Sequence, residues 1–178
     1  MPGVYKFLLA GFKGPFNLAL TMESEQFIDS VWKRVNGKYR KVLSVNGKVV
    51  GVELQQKPGG VLVSIYHPPN QVENLTGKVL GLVKEMLRVE DDFNLIYREL
   101  SRDPVMKNLL KIYNGLRLVK YADLFECLMV FLLSANTNLK RLNQMVSLLT
   151  RVYGYPSGSL TGRFYTPSPS PKPCLTWT

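Results

Sequence analysis

Three side chains, Asn136, Asn138 and Arg141, lie within six residues in the stretch Ser134-Ala135-Asn136-Thr137-Asn138-Leu139-Lys140-Arg141-Leu142. They stand where a polar segment opens an apolar, helix-spaced one. A helix start exposes unsatisfied N–H groups and the positive end of the helix dipole, so it attracts phosphate. Amide and guanidinium groups can also hydrogen-bond the edges of bases. The plainer role of Asn136 and Asn138 is to cap the helix that follows, and the residues taken alone favour that role.

Metal chemistry has little to work with. The chain carries one histidine, His67, and two cysteines, Cys127 and Cys174, neither in a CxxC pair. No metal and no small-molecule cofactor is expected. Cysteine usage of this kind forms no disulfide framework and fits reducing, intracellular surroundings. Cys127, inside Leu124-Phe125-Glu126-Cys127-Leu128-Met129, reads as a packed thiol. The longest apolar run, Leu128 to Leu133, is far too short to span a membrane, and no signal-peptide pattern opens the chain.

Twenty-three Lys and Arg against 13 Asp and Glu give a net charge of +10 over 178 residues. That balance favours polyanionic partners, nucleic acid first, although a basic surface kept for solubility explains it as well. The densest stretch, Lys33, Arg34, Lys38, Arg40 and Lys41, straddles a turn. It could contact phosphate, but a solvated hairpin is the commoner meaning.

The elements that must hold these residues divide the chain in three. Residues 1–71 read as an antiparallel β domain. Phe16, Leu18 and Leu20 alternate as in a half-buried strand. Asn36-Gly37 and Asn46-Gly47 are two-residue hairpin signals, which separate strands at Lys38 to Val45 and Lys48 to Gln55, with another at Val61 to Tyr66. That makes a meander of three or four strands. Residues 72–154 read as helices: about Val72 to Arg88, a short one through Tyr97 and Leu100, one begun by Asp103-Pro104, one from Ala122 to Ser134, and one from Asn138 to Tyr153. The Ala122 to Ser134 segment is apolar nearly all round, which predicts a helix central to its bundle. Too few amphipathic helices are present to surround it. Residues 155–178 hold five prolines, eight Ser or Thr and no acid, a Pro/Ser-rich tail that cannot bury enough apolar surface to offset its chain entropy. The fold class is α+β: a small antiparallel sheet packed with a partial helical bundle.

From Gly115-Leu116-Arg117-Leu118 through Leu124-Phe125-Glu126-Cys127-Leu128 and Ser134-Ala135-Asn136-Thr137-Asn138-Leu139-Lys140-Arg141-Leu142 to Tyr153-Gly154, the sequence resembles the 8-oxoguanine DNA glycosylases of the helix–hairpin–helix superfamily. Phe16 to Leu20, Ser24-Glu25-Gln26-Phe27, Asp91 to Leu95 and Asp103-Pro104 are similar to that family too, so the likeness extends in patches over residues 15–154. The resemblance implies base-excision repair of damaged duplex DNA by flipping the base out of the helix. By that likeness Asn136 enters the gap left by the flipped base and Arg141 contacts the orphaned cytosine, while Asn138 stays mainly a cap. The family tends to place glycine within the turn read here as Ser24-Glu25-Gln26, so lesion discrimination is not carried over to Ser24 or Glu25.

The family's chemistry needs a lysine nucleophile that forms a Schiff base and a supporting aspartate, both downstream of the matched region. Here the last aspartate is Asp123, and Lys172 is the only lysine after Lys140. No catalytic residue is therefore assigned, and the chain alone is expected to be inactive. Tyr165-Thr166-Pro167-Ser168-Pro169 reads like codons translated out of frame, which suggests a truncated or frameshifted product; a split protein whose second chain supplies the chemistry is the other expectation. A non-enzymatic DNA-binding or partner-binding module is the alternative function. The exposed apolar faces of an incomplete bundle are expected to favour self-association.

Overall fold

The computed structural model describes residues 3–26, 32–67 and 74–153. The tail at 155–178, Gly154, Phe27 and the Pro68-Pro69 break lie outside these residues. Five strands, β1 (Gly3–Leu9), β2 (Lys33–Val35), β3 (Lys38–Val45), β4 (Lys48–Lys57) and β5 (Gly60–His67), form one antiparallel sheet in the order β1-β5-β4-β3-β2. Both Asn-Gly pairs turn as their chemistry demands, with positive φ at Asn36, Gly37, Asn46 and Gly47.

Period-two patterning gives the sheet its inner face. Tyr39 and Leu43 on β3 align with Leu54 and Val50 on β4, and Val52 on β4 with Ile65 on β5. All six are buried. Onto this face α2 (Asn74–Met86) lays Leu75, Val79, Val83 and Met86, spaced for one side of a helix. Val130, Leu142 and Val146 from the later helices join the same cluster, so one core runs from the sheet into the helices.

The stretch at Phe16 to Leu20 is not a strand. Leu18–Glu23 is a helix, α1, opened by Asn17, whose side chain accepts from the Leu20 N–H at 3.0 Å. Leu18, Thr21 and Met22 are its buried residues, a helical spacing. Over five residues an alternating pattern does not separate the two periods, and the Asn17 cap decides between them.

The helical part follows the sequence reading closely. Helices α3 (Phe93–Leu100) and α4 (Pro104–Ile112) are capped by Asp92 and Asp103, each carboxylate accepting two backbone N–H groups. Helices α5 (Leu124–Ser134) and α6 (Leu139–Tyr153) pack together. The expected central position of α5 is not observed among the described residues: only Glu126 and Val130 are buried, and Leu124, Phe131 and Leu132 are 74%, 73% and 65% exposed. Nothing among the described residues covers that side. Cys127 is accordingly half-buried rather than packed. No described helix is long and apolar enough to cross a membrane.

Candidate nucleic-acid interface

Helix α5 ends at Ala135, which turns extended, and Asn136 then adopts φ +51°. An L-residue in that left-handed region is strained by about 1–2 kcal/mol, and asparagine tolerates it best after glycine. The chain thereby reverses into α6 within three residues. Asn138 is the cap of α6: its Oδ1 accepts the Arg141 N–H at 2.9 Å and its carbonyl accepts the Leu142 N–H at 2.9 Å. The expectation of capping therefore fits Asn138.

Asn136, Thr137, Asn138 and Arg141 together line an open concavity of about 410 Å³. Neither the Asn136 amide nor the Arg141 guanidinium has a partner among the described residues, and both are exposed. The Thr137 hydroxyl is shielded from solvent and also unpartnered. Helix α6 contains no acid along its whole length and carries Lys140 and Arg141 in its first turn. Uncommitted donors, an open helix start and positive charge thus converge on one corner, the requirements for holding a phosphate and an exposed base edge.

The basic stretch at 33–41 is not such a surface. Arg34 pairs with Glu23 at 3.0 Å, Lys38 and Arg40 grip Glu53 at 2.9 and 2.7 Å, and Lys41 is buried against Glu126. Four of its five cations are answered by carboxylates, and with Lys41 buried and Lys38 and Arg40 half-buried the stretch is not the solvated hairpin expected either.

Ahead of α5 in the chain stands a residue that sequence reasoning left without a role. Arg117 is fully buried. Its guanidinium donates to the carbonyls of Lys13 (2.8 Å), Gly14 (3.4 Å), Pro15 (3.3 Å) and Arg88 (3.1 Å). It lies over the rings of Phe93, Phe12 and Phe16, at 4.2, 5.2 and 5.7 Å. Burial pulls its pKa down from the ordinary arginine value, and the charges of Asp91, Tyr97 and Asp92 oppose that. The Arg117 main chain is held as firmly, its N–H on the Thr21 hydroxyl at 3.2 Å and its carbonyl on Gln26 Nε2 at 2.8 Å. Gln26 Oε1 accepts the Val119 N–H at 3.0 Å, so one amide side chain pins both the Ser24–Gln26 turn and the segment leading to α5. Gly115 makes room for this: Asn17 N–H donates to its carbonyl at 2.8 Å, and a Cβ there would stand 2.7 Å from Asn17 N. The signal in the sequence was the Gly-x-Arg segment itself, but nothing local tells a buried arginine from an exposed one.

Within the Ser24–Gln26 turn, Glu25 has φ +60°. This is the turn where the resemblance expects glycine, and the backbone retains a glycine-like conformation without the residue. Glu25→Gly is expected to stabilise the chain by about 1 kcal/mol by removing that strain. Urea unfolding checks it; a destabilised variant would mean the turn is not held in this conformation.

Two tyrosines brace the same region. Tyr39 is pushed up to about 12 by burial and by its hydrogen bond to Glu23, and Tyr121 to about 12 by burial and the neighbouring Glu126 and Cys127. A folded-state pKa above the unfolded value of 10.0 favours the protonated form in the fold, so this stability is complete below pH 10 and is lost as pH climbs toward 12. Stability should therefore fall more steeply across that window in the parent than in Tyr39→Phe, which cannot ionise. Equal slopes in urea titrations would count against it.

This architecture is that of the DNA glycosylases. The 3-methyladenine DNA glycosylase of Archaeoglobus fulgidus matches it with a TM-score of 0.74 over 93% of this chain and 56% of that one, at 15% identity, a likeness of fold alone. The sequence is more specific: the profile of the 8-oxoguanine DNA glycosylase N-terminal domain matches residues 10–128, and the chain belongs to that family. A probable N-glycosylase/DNA lyase of Methanothermobacter thermautotrophicus is 27% identical over 158 residues, covering 89% of this chain and 48% of that protein. The 8-oxoguanine glycosylase/lyase of Clostridium acetobutylicum, solved with double-stranded DNA containing cytosine opposite 8-oxoguanine, is 26% identical with a TM-score of 0.65, covering 89% of this chain and 49% of that one. The chain thus spans about half the length of these relatives.

Proposed function

We propose that this chain forms the DNA-engaging front part of a base-excision glycosylase for oxidised guanine in duplex DNA, with the Asn136–Arg141 corner as its contact. The observation that carries this reading is the pair of uncommitted side chains, Asn136 and Arg141, at the acid-free start of α6. In this role Asn136 fills the space vacated by the flipped nucleotide, Arg141 donates to the orphaned cytosine, and the N–H groups at the start of α6 hold the backbone. Base release and strand cleavage in the family need a lysine and an aspartate downstream of the matched region, where this sequence has Lys172 and no aspartate.

Fluorescence anisotropy with duplexes carrying 8-oxoguanine or guanine opposite cytosine tests the proposal. The expected result is affinity that falls with added salt and favours the lesion, with no base released by the purified chain. Affinity without lesion preference would support the plain DNA-binding module instead, and no duplex binding at low salt would sink both. A borohydride-trapped adduct on the lesion duplex would contradict the expected lack of chemistry.

A further inference from the structure

Helix α5 poses a packing problem. Leu124, Phe125, Leu128, Phe131 and Leu132 make one side of it apolar and exposed, Val130 and Leu133 make the inward side apolar as well, and hydrophobic burial is non-directional. Either side of such a helix could seat inward on hydrophobic grounds alone. Yet the DNA-facing corner begins at the C-terminal end of α5, so its placement depends on how α5 is rotated and how far it is advanced.

One directional contact breaks this degeneracy. Lys41 stands on β3 between Tyr39 and Leu43, at an inward position that period-two patterning would give to an apolar residue. Its ammonium lies 2.7 and 2.8 Å from the two oxygens of Glu126, both residues are buried, and the Trp32 ring centroid is 5.9 Å from the Lys41 nitrogen. Glu126 is the only acid within α5 and, with Val130, one of its two buried residues. Burial drives the lysine pKa down, and the charges of Glu126 and Asp123 work to keep it protonated. A buried ion pair adds little net stability against an apolar equivalent, but breaking it is costly, and its best-attested use is to fix register.

We propose that the Lys41–Glu126 pair is a positioning device, setting the rotation and advance of α5 on the sheet and thereby the geometry of the Asn136–Arg141 corner. From Glu126 to Ser134 the helix runs eight residues, roughly 12 Å at the helical rise, and Asn136 follows two residues later. A slip or rotation at the pair is therefore carried rigidly to the corner. This rests on the DNA-contact reading above.

The test compares duplex affinity and thermal unfolding in the full chain for Arg141→Ala, for Lys41→Met combined with Glu126→Leu, and for Glu126→Asp. The double variant removes both charges and is expected to melt no lower than the parent, yet to bind duplex about tenfold more weakly. Adding Arg141→Ala to it should cost little more, because the two changes act through one corner. Glu126→Asp, one methylene shorter, keeps the charge but stretches the pair, so it should weaken binding and lower the melting point, and it supplies the reading, at a temperature where the variant is folded, if the double variant does not fold. Parent-like affinity in the variants, or losses that add to Arg141→Ala as independent sites do, overturns the positioning role alone. An Arg141→Ala chain that binds like the parent sinks the interface reading and this proposal with it.

Discussion

Arg117→Ala is expected to cost about 4 kcal/mol of stability, a large share of the roughly 5–15 kcal/mol that holds a domain folded. Truncation removes donors from the carbonyls of Lys13, Gly14, Pro15 and Arg88, and opens a void beneath Phe12, Phe16 and Phe93. The Lys13 and Arg88 carbonyls keep the N–H groups of Phe93 and Asp91, but those of Gly14 and Pro15 lose the donor that Arg117 supplies, and an apolar side chain in the space does not replace it. Arg117→Lys should fail nearly as badly, because an ammonium is a point charge where a planar fork spans four acceptors. Urea unfolding of the three proteins decides the matter. A loss below about 1 kcal/mol for Arg117→Ala would mean the cage is not formed in solution.

The second large effect falls on affinity and leaves the fold intact. Arg141→Ala should weaken binding to a duplex with cytosine opposite the lesion by roughly tenfold to a hundredfold, the range for a good side-chain contact to a base edge. Its exposed guanidinium holds no partner among the described residues, so melting should be unchanged. Asn136 gives a sharper pair of variants because its φ is +51°. Asn136→Gly keeps the turn and removes the amide, so it should lose affinity at parent stability. Asn136→Ala should lose both, with strain of about 1 kcal/mol. Two variants with the same affinity as the parent would show that the amide makes no contact. If only Arg141→Ala alters affinity, the contact is with the guanidinium alone.

Much of this fold was legible because its signals are local. Asn36-Gly37 and Asn46-Gly47 dictate their turns through backbone conformation, and Asp92 and Asp103 announce α3 and α4 through hydrogen bonds two or three residues away. The rest was hidden either because the deciding partner is distant or because a short segment fits two periods. Pairing of β1 with β5 joins Gly3 to His67 with no turn to reveal it. Phe16 to Leu20 alternates like a strand, but Asn17 caps a helix there. The centrality of α5 was inferred from composition, which says that a surface is apolar and not that anything covers it.

The candidate site was legible in its members and not in its support. Asn136, Asn138 and Arg141 do come together, Asn138 as the cap it was read to be. The left-handed Asn136, the cage around Arg117, the bridging amide of Gln26 and the Lys41–Glu126 pair could not be read, since each joins residues far apart in the chain or depends on burial. Two faint clues were present: a lone acid within the apolar α5, and a lysine at an inward strand position. Each marks a charge that folding must neutralise, and they neutralise each other.

The most direct measurement of the central claim is a backbone amide NMR titration of the chain with a duplex carrying 8-oxoguanine opposite cytosine. The largest shifts are expected on Asn136 to Leu142, with the strands at 33–45 little changed. Shifts confined to the sheet, with the start of α6 silent, would contradict it.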